Sequence, residues 1–192
     1  VSLPRKEDVP AGFEYVPQGR FEYGSSAPDD LRRGFLHAVP LHAAVTGAFL
    51  IRRNETTFAE WLAYLDALPP GRRDAALPGV GVGGFEGGMT LRTLPDGRRV
   101  LTFKPANREY TAIEGQPMEF PTRPVRATQD WLRFPVSGIT AAQAEAYVAW
   151  LDSTGRVPGA RLCTEMEWER AARGADTRNF PAGNVLSPED AN

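Results

Sequence analysis

The chain has 192 residues, 42% of them hydrophobic, and a formal net charge of −2. That is enough for one domain with a sizeable core, and the near-neutral balance gives no electrostatic case for nucleic acid or an anionic membrane. No apolar run approaches the length of a membrane span and no signal peptide opens the chain, so no membrane insertion is expected. The one cysteine, Cys163, excludes an internal disulfide framework and agrees with a reducing, cytoplasmic compartment. A start at Val1 in place of Met leads to the expectation of a piece excised from a longer chain.

Residues 1–12 carry two prolines and mixed charge and read as a linker or an entry strand. Phe13–Val16 and Arg20–Tyr23 alternate around Pro17-Gln18-Gly19, where Pro and Gly suit a tight turn, so a hairpin is expected. Ser25–Asp30 reads as loop, and Val39–Val45 and Ala48–Ile51 as short strands parted at Gly47. Thr57 with Glu60 makes a capping box, and Phe58, Trp61, Leu62, Leu65 and Leu68 keep helical spacing until Pro69-Pro70. Gly79–Gly88 is read as a glycine-dense loop. Met89–Leu94 and Arg98–Phe103 are expected to pair around Pro95-Asp96-Gly97. Lys104–Gln129, rich in Pro and Arg, reads as irregular. Thr140 with Gln143 opens another helix, carrying Ala144, Tyr147, Val148 and Leu151 on one face.

The run Gly159 to Gly174 reads as one complete helix with its signals. Thr164 and Glu167 form a third capping box; Glu165 and Glu167 load the first turn, Arg170 and Arg173 the last, as the helix dipole favours. Trp168, Ala171 and Ala172 fall at i, i+3, i+4, a narrow apolar stripe that predicts a buried helix, and Gly174 is a left-handed stop. Hairpins plus separate helices argue for an α+β fold, rich in irregular structure.

The wording of that helix, Arg161-Leu-Cys-Thr-Glu-Met-Glu-Trp-Glu-Arg-Ala-Ala-Arg-Gly174, resembles the signature of the formylglycine-generating (sulfatase-modifying factor) family. Its signature positions here are Arg161, Thr164, Glu165, Glu167, Trp168 and Arg173. Trp131 to Trp150 resembles the family's P-V-x-x-V segment, and Phe180-Pro-Ala-Gly-Asn184 its aromatic-Pro-Trp-Gly-Asn turn, with Ala182 in place of Trp. Phe13 to Gly24 is similar to its opening hairpin, and Glu55-Thr-Thr57 stands where the family has Glu-Val-Thr. The likeness runs in order from Phe13 to Asn192, so residues 13–192 are expected to be the N-terminal part of such a domain, incomplete at its C-terminus. The Leu162-Cys-Thr164 variant, with Val157-Pro-Gly-Ala160 before it, resembles the version fused behind bacterial serine/threonine kinases.

The resemblance implies a C-type-lectin-like fold. It also implies an oxidase that turns a substrate cysteine into formylglycine, using copper held by a cysteine pair near the domain's C-terminus. Soft thiolates suit Cu(I), but Cys163 is single and lies in another motif, where the family usually has proline. Asn192 corresponds to the asparagine that opens the family's calcium site, and calcium needs six to eight oxygens. Calcium and copper therefore belong to the complete domain. For this chain no cofactor and no catalytic residue is expected. The leading expectation is a non-catalytic, lectin-like sensor or binding module for a protein or peptide ligand, able to form homo-oligomers; the alternative is part of an oxidase whose cysteines lie beyond residue 192.

Other features carry structural readings. Gly79-Val-Gly-Val-Gly-Gly84 matches G-x-G-x-x-G but lacks the strand before and helix after that a phosphate cradle needs. Cys163 is expected to be a small buried hydrophobe. Glu165, Glu167 and Glu169 are accounted for by capping and by a Glu169–Arg173 ion pair. His37 and His42, five apart, have no metal-ligand spacing to a partner. Asn54-Glu-Thr56 fits a glycosylation sequon without a secretion signal. Trp61, Trp150 and Trp168 are expected in the core, and Trp131, in a loop, to be exposed.

Overall fold

The computed structural model describes residues 4–80, 87–105 and 108–185. The first strands are β1 (Phe13–Val16), β2 (Gly19–Tyr23), β3 (His42–Thr46) and β4 (Phe49–Arg52), with the single turn α1 (Asp29–Leu31) between β2 and β3. Helices α2 (Phe58–Ala67) and α3 (Pro70–Arg73) follow. Then come strands β5 (Gly79–Val80), β6 (Gly87–Thr93), β7 (Arg99–Pro105), β8 (Tyr110–Ile113), β9 (Met118–Glu119) and β10 (Thr128–Gln129). Helices α4 (Ala141–Ser153) and α5 (Glu165–Arg173) close the series. Helices and largely antiparallel strands are segregated as an α+β architecture requires. Two compact units emerge: Val1–Asn54 with Cys163–Asn192, and Glu55–Leu162.

The first unit is built on a ribbon. β1 pairs antiparallel with β4, from Phe13↔Arg52 to Val16↔Phe49, and β2 with β3, from Gly19↔Thr46 to Tyr23↔His42. The register does not change across the break, because Val16 to Gly19 and Phe49 to Thr46 are both three-residue steps. Phe13–Val16 and Arg20–Tyr23 therefore do not pair as the expected hairpin. The chain runs on through Pro17-Gln18, and the proline, lacking an N–H, interrupts the ladder instead of reversing it. The link from β2 to β3, expected as loop at its start, holds α1 and a π-helical turn, Arg32–Leu36, ended by left-handed His37 at φ 50.

The second unit stacks α2 and α4 with the antiparallel sheet β5-β6-β7-β8. Both helices start on the capping boxes read from sequence: Glu60 accepts from the Thr57 N–H at 2.8 Å and Gln143 from the Thr140 N–H at 2.7 Å. Pro69-Pro70 ends α2 as expected, but Pro70 also serves as the first residue of α3, where a missing N–H costs nothing. The β6–β7 hairpin forms around the expected turn, with Gly97 at φ 88. The glycine-dense stretch is strand at both ends, in β5 and β6, and residues 81–86 lie outside the described residues. Lys104–Gln129, expected to be irregular, contributes β8, β9 and β10. These strands are too short for alternation to be read in sequence.

Period-2 alternation sends Met89, Leu91, Leu101 and Ala112 into a core shared with Phe58, Trp61 and Leu65 of α2. Trp61 and Tyr147 stack with centroids 5.2 Å apart, fixing α2 to α4. Trp131 is 0% exposed, the reverse of the expectation. It opens a 3-10 turn capped by Asp130, donates its indole N–H to the Ile113 carbonyl and meets Phe58 edge-on at 5.7 Å. The ring fills the gap between sheet and helix, reaching Ile113 on one side and Phe58 on the other. Trp168, expected in the core, is 60% exposed.

Trp131→Ala is expected to cost about 3–5 kcal/mol, and Trp168→Ala no more than about 0.5 kcal/mol, in urea unfolding followed by circular dichroism. Equal losses at the two positions would contradict this assignment of core and surface.

Candidate functional site: the signature helix and its ribbon

α5 begins as its sequence dictates: Glu167 accepts from the Thr164 N–H at 2.8 Å and Thr164 from the Glu167 N–H at 3.2 Å. Its buried face, however, is charged. Arg170 is 8% exposed and its guanidinium donates to the Gly19 carbonyl at 2.9 Å and to the Thr46 hydroxyl. Gly19 and Thr46 are partners in the first pair beyond the Pro17 break, so one guanidinium nitrogen joins both strands where the ladder resumes. A Cβ at Gly19 would lie 3.0 Å from Arg170 Nη2, which makes the missing side chain part of the fit.

One turn later Arg173 donates to the carbonyls of Glu22, at 2.6 Å, and Gly24, at 3.1 Å. Glu169 accepts from the Gly24 N–H at 2.9 Å and pairs with Arg173, the i,i+4 pair expected from sequence. Gly24 itself needs its glycine: φ is 98, and a Cβ would come within 2.6 Å of the Pro40 carbonyl oxygen.

The expected apolar stripe of α5 is therefore turned away from the ribbon. The ribbon presents unpaired carbonyls and an N–H at this point, and long ionic side chains satisfy them where Trp168 and alanines would leave them orphaned. Gly174 stops the helix with φ 93 and ψ −160, a positive-φ geometry other than the left-handed helical one expected. Its N–H still bonds the Arg170 carbonyl.

Glu165 contacts the ribbon too, through Tyr23. Burial, then the hydrogen bond to Glu165, then the charges of Glu165 and Glu169 push the Tyr23 phenol above its usual value of 10.0. His42 meets the Tyr23 ring edge-on at 5.5 Å, and its Nδ1 lies 2.7 Å from the Pro40 carbonyl. Tyr23, Gly19, Gly24 and Arg170 escaped the sequence reading. The available signal was that ionic residues at 169, 170 and 173 occupy the helix face opposite Trp168.

The remaining sequence candidates separate. Arg161 is exposed and donates to the Leu162 carbonyl at 3.0 Å. Cys163 is exposed, not buried as expected, since it precedes the cap in extended chain. Two thiols are needed for a Cu(I) dithiolate, and a single exposed one does not fit. Asn192, the expected calcium position, lies outside the described residues, and so does most of the Gly79–Gly84 motif. Among the described residues no group of three His, Cys, Asp or Glu could hold a metal ion. His37 and His42 are both exposed. The Phe180–Asn184 segment closes as a turn, Phe180 and Gly183 exchanging backbone hydrogen bonds at 2.8 and 3.0 Å.

Residues 3–192 match the sequence profile of the Sulfatase-modifying factor enzyme 1-like domain. The chain belongs to that family. Among relatives, the formylglycine-generating enzyme of Thermomonospora curvata is 25% identical over 189 residues, 97% of this chain and 57% of that protein. The formylglycine-generating enzyme of Mycobacterium tuberculosis is 25% identical over 183 residues, 90% of this chain and 55% of that protein. A bovine protein named inactive C-alpha-formylglycine-generating enzyme 2 is 38% identical over 73 residues, 38% of this chain and 22% of its own length. The chain thus spans a little over half the length of the two bacterial relatives. Among the described residues no helix is long and apolar enough to cross a membrane.

Arg170→Ala is expected to lower stability by about 1.5–3 kcal/mol, because it strands a buried carbonyl and a hydroxyl. Arg170→Lys should recover only part of that, since the shorter, flexible and more strongly hydrated ammonium replaces a planar guanidinium packed in place; full recovery in denaturant titrations would contradict the clamp. The raised Tyr23 pKa has a definite sign. Its stabilisation is fully present below the unfolded value near 10.0 and is lost as pH rises through the higher folded value. Thermal melts across the alkaline range should show this slope in the parent and a shallower one in Tyr23→Phe.

Proposed function

We propose that this chain is a non-catalytic, C-type-lectin-like binding module, of the kind carried as an accessory region of a bacterial serine/threonine kinase. The observation that carries the reading is the thiol inventory. Copper oxidase chemistry of the implied kind needs two adjacent thiolates, and the 192 residues hold one cysteine, exposed and apart from any second sulfur ligand of that type. The ionic residues of the signature helix are engaged in holding the ribbon, which leaves them no acid–base work. A cleft of about 200 Å³ in the second unit, lined by Glu55, Thr56, Trp61, Tyr147 and Leu162 among others, offers room for a ligand group. The kinase context is supported only by the Val157-Pro-Gly-Ala160 and Leu162-Cys-Thr164 wording, and a cytoplasmic place by the unpaired thiol.

A second reading is favoured by the names of the two bacterial relatives: the chain is part of a formylglycine-generating oxidase, with the cysteine pair supplied by residues outside it. Incubating the 192-residue chain with copper, oxygen and a Cys-x-Pro-x-Arg peptide tests whether this chain is itself catalytic. Mass spectrometry should show no aldehyde product. Conversion by this chain would overturn the binding-module reading, and a cysteine pair in a longer parent sequence would move the parent to the second.

A further inference from the structure

On the β6-β7-β8 sheet the face carrying Thr90, Thr102 and Thr111 lies opposite buried Met89, Leu91, Leu101 and Ala112, with Val100 its one buried apolar residue among those named here. Register sets Thr90 opposite Thr102 and Thr102 opposite Thr111, so three hydroxyls form a row across β6, β7 and β8. The Thr102 and Thr111 hydroxyl oxygens are 3.1 Å apart. These residues alternate with buried Met89, Leu91, Leu101 and Ala112, which places the row on the side away from the core.

Two cations flank the row on the same face. Lys104 stands opposite Gly88, two residues to one side of the Thr90–Thr102 pair, and Arg92 stands opposite Val100, two residues to the other. Both are exposed, and neither makes an ion pair or side-chain hydrogen bond with any described residue. A hollow of about 330 Å³ lies here, lined by Gly88, Thr90, Arg92, Thr102, Lys104 and Glu109 among others. Among the described residues its lining has no aromatic ring on which a base could stack.

We propose that this sheet face docks an extended acidic peptide, with carboxylates at i and i+4 on Arg92 and Lys104 and the polar residues between them on the threonine row. The spacing is set by β6 itself. Gly88, beside Lys104, and Arg92 are four residues apart on one strand, a separation of about 13 Å that an extended ligand reproduces between its own i and i+4 side chains. An even offset also puts both carboxylates on one side of the ligand strand. The threonine hydroxyls both donate and accept, and so suit Ser, Thr or Asn side chains and exposed backbone between the anchors. Among the described lining residues, two cations, Arg92 and Lys104, stand against one carboxylate, Glu109, and give the hollow its charge preference. The inference is independent of the catalytic question and holds under either reading of the chain.

The test is fluorescence anisotropy with the 192-residue chain and a labelled peptide carrying Glu-Ser-Thr-Ser-Glu in a Gly/Ser context. Saturable binding is expected, weakening with added salt. The double variant Arg92→Glu with Lys104→Glu should bind about tenfold more weakly or worse, and Thr102→Val about threefold more weakly. A peptide with its glutamates at i and i+3, on opposite sides of an extended chain, should also bind more weakly. Circular dichroism melts confirm that each variant is folded. Absence of binding at millimolar peptide overturns the proposal, as does binding indifferent to the double charge reversal or to glutamate spacing. Tighter, Arg92- and Lys104-dependent binding of a sulfated oligosaccharide would assign the face to a glycan and overturn the peptide.

Discussion

The first unit depends on one buried guanidinium. Arg170 reaches across the ribbon at the pair where hydrogen bonding resumes after Pro17, and contacts both strands through one guanidinium nitrogen. A two-stranded ribbon is marginal by itself in water, and a proline break halfway weakens it further. The helix supplies what a third strand would otherwise supply: donors for carbonyls that have no ladder partner. Glu169 and Arg173 extend the same logic to Gly24, where one N–H and one carbonyl of a single residue are both taken. The glycines at 19 and 24 are the complement of this arrangement, since a side chain at Gly19 would crowd the Arg170 guanidinium and one at Gly24 the Val39 and Pro40 carbonyls.

The family signature thereby acquires a physical meaning. Its acidic and basic positions cap the helix, pair with one another and dock it, and its tryptophan remains at the surface. Membership in the sulfatase-modifying factor family rests on the whole chain. Family membership and the engagement of these helix residues in docking are separate facts about the same segment. The buried Tyr23 phenol, beside Glu165 and the His42 ring, shows how a perturbed group can arise from burial and neighbouring carboxylates that serve the fold.

What could be read in the sequence was whatever depends on neighbours a few positions away. All three capping boxes, at Thr57, Thr140 and Thr164, formed as read, and so did the turn at Gly97 and the Glu169–Arg173 pair. What could not be read depends on partners far along the chain. Pro17-Gln18-Gly19 has turn composition, yet the strand partners at 42–52 pull the chain straight through it. Trp131 and Trp168 exchanged their expected places for the same reason: neither a loop position nor helical periodicity says what distant part of the chain a side chain meets. Within the candidate site Thr164, Glu167 and Arg173 were legible, while Arg170, Gly19, Gly24 and Tyr23 were not, because each acts only across the ribbon.

The division into units changes what it costs to assemble the first one. Arg170 and Gly19 are 151 positions apart, a span whose closure would burden a flexible chain. Yet Glu55 and Leu162, the first and last residues of the second unit, line the same cleft. Once that unit has folded, its two chain ends are held side by side, and the long insertion behaves as a loop of a few residues. Because loop entropy grows with the logarithm of length, shortening the loop to roughly 45 positions in this way is worth about 1 kcal/mol to the docking of α5 on its ribbon. The inserted unit therefore acts as a clasp for the chain on either side of it, and damage to its aromatic core would be felt at a helix it need not touch.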